Sequence, residues 1–74
     1  MKVTYNRNNQ YFTTYDVRNE EGYLIGHLED HHISVTKPYF IAWVLDELEA
    51  TKGRTTMHDT REAALKYIEE NANI

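Results

Sequence analysis

The chain has 74 residues, which is enough for one domain and close to the lower size limit for a core without disulfides or bound metal. It contains no cysteine, so disulfides, thiolate metal sites and cysteine nucleophiles are excluded. Its 12 acidic and 8 basic residues give a net charge of −4, which repels a phosphate backbone at long range and disfavours nucleic acid as a partner.

Composition and the N-terminal residues together predict a cytoplasmic protein. The absence of cysteine fits a reducing compartment, and residues 1–7 are too polar for the core of a signal peptide. No apolar run comes near the ~20 residues that a membrane-spanning helix requires. We therefore expect a single domain over residues 1–74, without membrane contact.

The first elements in chain order are an ambiguous N-terminal stretch and a β-hairpin. Residues 1–9 are polar and rich in asparagine, so they form either a short strand around residues 3–5 or a flexible tail. Residues 10–18 and 23–29 are rich in aromatic and β-branched side chains, which is typical of strands.

Glycines mark two special positions in this hairpin. Residues 19–22 predict its turn, where Gly22 is suited to a positive φ. Gly26 inside the second strand predicts a β-bulge or a close packing approach. Residues 33–36 then form either a short strand or an extended link, and Pro38 bars them from a central ladder position.

Tyr39–Leu45 is the most apolar stretch of the chain, with no polar residue in it. As a strand it is apolar on both faces, because successive side chains point to opposite sides. Residues 54–58 are then its antiparallel partner, after a loop over residues 48–53. As a helix over residues 38–52 it presents an apolar stripe, with Pro38 in its first turn and Gly53 just past its end. We favour the strand.

The last element is a helix over residues 60–71. Asp59 with Glu62 three residues later matches a capping box. The apolar side chains fall on one stripe: Ala64, Leu65, Ile68 and Ala72. The predicted fold is therefore α+β, a small antiparallel sheet of three to four strands with one C-terminal helix packed on one face. The alternative is a β-hairpin followed by two helices.

The second half carries a known pattern of a Trp-containing strand, a turn with glycine, a short strand with threonine and an Ala-rich helix. Here it covers residues 40–45, 52–57 and 60–67. It resembles the three-stranded-sheet-plus-helix domain of the plant AP2 factors and of the arm-binding domains of phage-type integrases. It is also similar to small phage and bacterial proteins with a sheet and one helix.

The resemblance implies that the sheet of such a domain contacts DNA. The residues that would do so are Arg18, Trp43, Lys52 and Arg54. This chain departs from the pattern because its strands hold few basic residues, and acidic residues lie in or near them: Asp16, Glu29, Asp46 and Glu47. Sheet-based DNA binding is therefore the alternative function and not the first.

Catalytic and metal-binding chemistry has little support in the sequence. A metal site needs three or four converging ligands, whereas a solvated turn accounts for neighbours such as His31 and His32. The only serine, Ser34, lacks a glycine elbow. We expect no enzyme, no metal and no cofactor, and the role of four histidines stays open: His27, His31, His32 and His58.

The aromatic residues are the remaining functional signal. A single helix covers one face of a sheet, so alternation leaves some aromatics on the other face, and Tyr and Trp are enriched at protein interfaces. The predicted binding face is Tyr11, Tyr15, Tyr23, Tyr39 and Trp43. The alternative for each tyrosine is a place at the edge of the core with its hydroxyl in water.

The functional hypothesis is a small non-enzymatic protein-binding module. Its aromatic sheet face has an acidic rim that suits a basic partner. That partner is either another protein or a second copy of the chain in a homodimer. By its resemblance to small phage proteins, we expect a phage- or mobile-element-encoded modulator of a host protein.

Overall fold

The computed structural model describes residues 1–33, 35–45 and 53–72. They form an α+β fold in which five antiparallel strands, ordered β1-β2-β3-β4-β5, pair with their neighbours in sequence. The elements are β1 Lys2–Asn8, β2 Thr13–Arg18, β3 Leu24–His31, β4 Tyr39–Leu45, β5 Gly53–His58 and the helix α1 Arg61–Asn71. Within this part of the chain, no helix combines the length and the apolar character that a membrane crossing demands.

The predicted α+β class with a C-terminal helix is confirmed, but three to four strands was too few. The additional strand is β1, within the stretch at residues 1–9. It pairs with β2 so that Val3 is aligned with Val17 and Tyr5 with Tyr15. The register shifts between Tyr5 and Arg7, so Asn6 is accommodated as a bulge. Cross-strand pairing thus accounts for a strand that the local asparagine content does not favour.

Tyr39–Leu45 forms the strand β4, so the favoured prediction is confirmed and the helical alternative is wrong there. It is hydrogen-bonded on both sides, with Trp43 aligned to His27 of β3 and to Thr55 of β5. The side chains of Ala42 and Val44 are buried. Of the loop predicted over residues 48–53, residues 48–52 lie outside the described residues. Gly53 is the first residue of β5, so its assignment to the loop is wrong.

The hydrophobic core lies between α1 and one face of the sheet. Its buried members are Val17, Ile25, Leu28, Ala42, Val44, Ala64 and Ile68. Both predictions for Gly26 are confirmed. The β2–β3 register shifts beside it, which inserts Ile25 as the extra residue, and a Cβ at Gly26 would lie 2.8 Å from Ile68 Cγ2 and overlap the Trp43 carbonyl oxygen.

The turn and the helix start also bear on the sequence predictions. Gly22 has a φ of 92°, as predicted for the hairpin turn. The capping box at Asp59 is wrong, because the N-cap is Thr60, whose hydroxyl accepts a hydrogen bond from the Ala63 amide at 3.2 Å. The helix therefore begins one residue later than a cap at Asp59 requires, and Glu62 falls in its first turn.

Candidate binding face

The open face is the side of the sheet opposite α1, and no helix or strand within residues 1–33, 35–45 and 53–72 covers it. Strand alternation and the register assign its side chains. They are Lys2, Thr4 and Arg7 of β1; Thr14, Asp16 and Arg18 of β2; Leu24, His27, Glu29 and His31 of β3; Tyr39, Ile41, Trp43 and Leu45 of β4; and Thr55 and Met57 of β5.

The open face is divided by polarity across the strands. β4 and β5 contribute an apolar half, which we define as Tyr39, Ile41, Trp43 and Met57. Ile41 and Met57 are aligned directly across the two strands, and Met57 is 69% exposed. β1, β2 and β3 contribute the charged and imidazole side chains. An apolar patch beside a polar one is a common arrangement at protein interfaces.

A groove of about 630 Å³ crosses the open face where the two halves meet. Its lining comes from four strands and the loop before β2: Asn6, Arg7, Phe12, Thr14, His27, Glu29, Trp43 and Leu45. Its size lies within the range of sites that accept a small molecule or a few partner side chains, roughly 300–1,000 Å³.

Two neighbouring side chains contact Asp16 in the polar half of the open face. The Asn6 side-chain amide donates to its Oδ1 at 2.9 Å, and His27 Nδ1 lies 3.1 Å from the same oxygen. The bulge in β1 places Asn6 for this contact, because the extra residue turns the local backbone. These three side chains therefore restrict one another's rotamers.

Glu29 links the polar half to the apolar half. The Trp43 indole N–H donates a hydrogen bond to Glu29 Oε2, while His31 Nε2 lies 2.9 Å from Glu29 Oε1. The carboxylate thus has a partner on each oxygen. The indole is fixed through its one polar atom, so Trp43 presents its ring to the groove in a defined orientation.

Three stacked rings form one end of the open face. His31 lies between Phe12 and Tyr39, with ring centroids 4.5 Å and 4.6 Å away and interplanar angles of 28° and 11°. The alignment of His31 with Tyr39 across β3 and β4 brings two of these rings together. Such stacking adds to the rigidity of the surface.

The structure brings together two of the five predicted binding residues. Tyr39 and Trp43 share the open face, whereas Tyr15 lies on the α1 side, with the Arg61 guanidinium carbon 4.9 Å above its ring. Tyr11 and Tyr23 are 61% and 59% exposed and lie outside the strands. Tyr15 is on the other face because it shares the parity of Val17, which is in the core.

Two of the four predicted nucleic-acid contacts are placed on the open face. Arg18 and Trp43 share it, and Arg18 Nη1 donates to the Gly22 carbonyl at 3.1 Å. Lys52 lies outside the described residues. Arg54 is described through its backbone, which is aligned with Val44. A combined contact surface of the four is therefore not defined.

The histidines are divided between the two faces. His27 and His31 pair with carboxylates on the open face, and His32 Nδ1 lies 3.1 Å from Asp30 Oδ1. His58 is on the α1 side, with Nε2 2.7 Å from Thr56 Oγ1 and its ring 5.3 Å from that of Tyr67. Among the described residues, no cluster of three or more potential ligands is arranged to hold a metal ion.

The sequence did not identify several residues that shape this face, namely Asn6, Phe12, Glu29 and His31. The Asp16–His27 pair also depends on a non-local feature, because the register next to the turn, which aligns Arg18 with Leu24, would place Gly26 opposite Asp16 without the extra residue Ile25. The contact between Glu29 and Trp43 depends on the register of β3 against β4, which no local pattern supplies.

Comparison with known proteins gives no match to a family model, to a curated protein or to a solved structure. The resemblance to the AP2 and integrase-arm domains therefore stays a prediction.

Proposed function

We propose that this chain is a non-enzymatic protein-binding module that acts through the open face. The observation that supports the proposal is the groove of about 630 Å³ next to the apolar half, in which Met57 is exposed and the other three side chains are half-buried. Contiguous exposed apolar surface beside a concavity is typical of interaction sites. Trp43 lies where the two features meet, and tryptophan is among the residues that most often dominate binding energy.

The hydrogen bonds on the open face support binding without rearrangement. Trp43 is fixed by Glu29, which is in turn contacted by His31, and His31 is stacked between two rings. A surface whose side chains are already ordered loses less conformational entropy when a partner docks. The apolar half and the groove therefore form a prearranged site and not a loose collection of aromatics.

The partner that we propose inserts apolar side chains into the groove and places basic groups beside Glu29 and Asp16, away from the Lys2, Arg7 and Arg18 side chains of the same face. The net charge of −4 attracts such a partner at long range. At short range, the Glu29 and Asp16 carboxylates have lone pairs beyond those used by their present neighbours, so they can accept from an arginine or lysine.

The test compares Trp43→Ala with Tyr23→Ala in affinity capture and in titration of the captured protein. We expect Trp43→Ala to weaken binding by about 30-fold or more, the scale of an interface hot spot, with the circular dichroism spectrum unchanged. Tyr23→Ala is the matched control, because Tyr23 is an exposed aromatic outside the strands. Unfolding of Trp43→Ala, or equal binding by both variants, would contradict the proposal.

One observation favours a second candidate, sheet-based nucleic-acid binding. Lys2 is aligned directly with Arg18, and both share the open face with Arg7 and Trp43. Retention on DNA or heparin at low and moderate salt separates the two functions. Strong retention that falls steeply with salt and is reduced by Arg7→Ala would favour nucleic acid over a protein partner.

A further inference from the structure

The two edges of the sheet differ in how they are protected against pairing with another strand. β1 carries Lys2 and Arg7, and its ladder with β2 is interrupted at the Asn6 bulge. Charged side chains and bulges are the features by which edge strands avoid adding further strands. β1 is therefore a blocked edge.

β5 has no such feature along its central residues. Thr55, Thr56 and Met57 carry no charge and no proline, and the register from Gly53 to His58 runs against β4 without a shift. Within the described residues, nothing pairs with the outer side of β5. Thr55 and Met57 are exposed on the open face. β5 thus presents unpaired backbone amides and carbonyls with β-branched side chains beside them.

We propose that β5 pairs antiparallel with β5 of a second copy of this chain around a two-fold axis, giving a continuous ten-stranded sheet. A two-fold interface pairs residue i of one copy with residue j of the other and j with i, so residues near the axis meet their own counterparts. The uncharged centre of β5 tolerates this self-pairing, whereas antiparallel self-pairing of β1 would bring Lys2 of one copy toward Arg7 of the other. Self-complementarity therefore selects β5 and a second copy.

The faces of the sheet restrict the geometry of this dimer. Residues directly opposite each other in an antiparallel pair point to the same side. The two apolar halves join into one surface only if both helices lie on the same side of the sheet. This requires one residue of β5 to stand directly opposite its own copy, with the axis between them. Thr55 and Thr56 are the central positions of β5. Whether Thr55 or Thr56 stands opposite its own copy, Met57 lies opposite a residue of the partner's β5.

The first experiment measures molecular mass by sedimentation equilibrium. The native chain is expected to approach twice its 8.8 kDa as concentration rises. Thr55→Lys places like charges near the axis, so the dimer dissociation constant should rise about fivefold or more. Thr4→Lys is the matched control, because Thr4 is a threonine on the same face of the opposite edge strand, and it should leave the dimer unchanged.

The second experiment uses the absence of cysteine from the chain. Under mild oxidation, Thr55→Cys or Thr56→Cys should form a disulfide-linked dimer faster than Thr4→Cys. A native chain that is monomeric up to about 1 mM would overturn the proposal, as would equal cross-linking at all three positions. Trp43→Ala should retain the dimer, so loss of partner binding and loss of self-pairing are separate results.

Discussion

At the scale of single residues, Trp43 shows how the open face is organised. Its neighbours Ala42 and Val44 are buried under α1, so alternation turns the indole to the other side. Glu29 then receives the indole N–H and fixes the ring. A residue from an apolar run is thus directed into a groove by one long-range hydrogen bond. This combination makes Trp43 the most informative position for mutagenesis.

At Gly26, the addition of a single methyl group should lower the free energy of unfolding strongly. In Gly26→Ala the new Cβ overlaps the Trp43 carbonyl oxygen, which is backbone and cannot rotate away, and lies 2.8 Å from Ile68 Cγ2. We expect the free energy of unfolding to fall by about 2 kcal/mol or more. Urea unfolding followed by the fluorescence of the chain's one tryptophan measures this loss.

Gly22→Ala is the control for that measurement. Gly22 has a φ of +92°, but nothing lies within 4 Å of the position that a Cβ would take. Its cost is therefore backbone strain alone, about 1 kcal/mol. Equal destabilisation by the two substitutions would show that the close approach of α1 to Gly26 does not matter.

At the scale of elements, the start of α1 is set by hydrogen bonding to the backbone. Thr60 has an extended backbone conformation and its hydroxyl accepts from the Ala63 amide, while Asp59 precedes the cap. Both residues are of a type that caps helices, so their order in the sequence does not decide between them. The position of the helix over the sheet does, because Ala64 and Ile68 must reach the core.

Thr60→Ala should lower the free energy of unfolding by about 1 kcal/mol, since the Ala63 amide loses its acceptor. Thr60→Ser retains the hydroxyl and should retain most of the stability. Asp59→Ala should have a smaller effect, limited to its interaction with the helix dipole. Thermal or urea denaturation compares the three variants, and a larger loss for Asp59→Ala would place the cap at Asp59 instead.

At the scale of the whole molecule, the helix and the sheet are unequal in extent. α1 packs mainly on β3, β4 and β5, so β1 and β2 depend more on strand pairing. Val17 of β2 is nevertheless fully buried, and it is aligned with Val3 of β1. β1 is therefore part of the structure that covers the core and not an appendage.

A role as a phage- or mobile-element-encoded modulator stays a prediction.

Removal of residues 1–9 tests this dependence. We expect the free energy of unfolding to fall by about 2 kcal/mol or more, because Val17 loses apolar cover and β2 becomes an edge strand. Thermal unfolding should remain a single transition at a lower temperature. An unchanged melting temperature would show that the stretch contributes nothing, as expected of a flexible tail.

The sequence by itself determined the features that depend on neighbouring residues. Alternation of side chains, the turn with Gly22 and the apolar stripe of α1 all follow from interactions over a few residues. The tertiary structure alone decided that Asn6 bulges and β1 pairs, that Ile25 joins the core, and that Trp43 meets Glu29. These depend on strand register, which is set by the total free energy of pairing and burial across the sheet and not by any one segment.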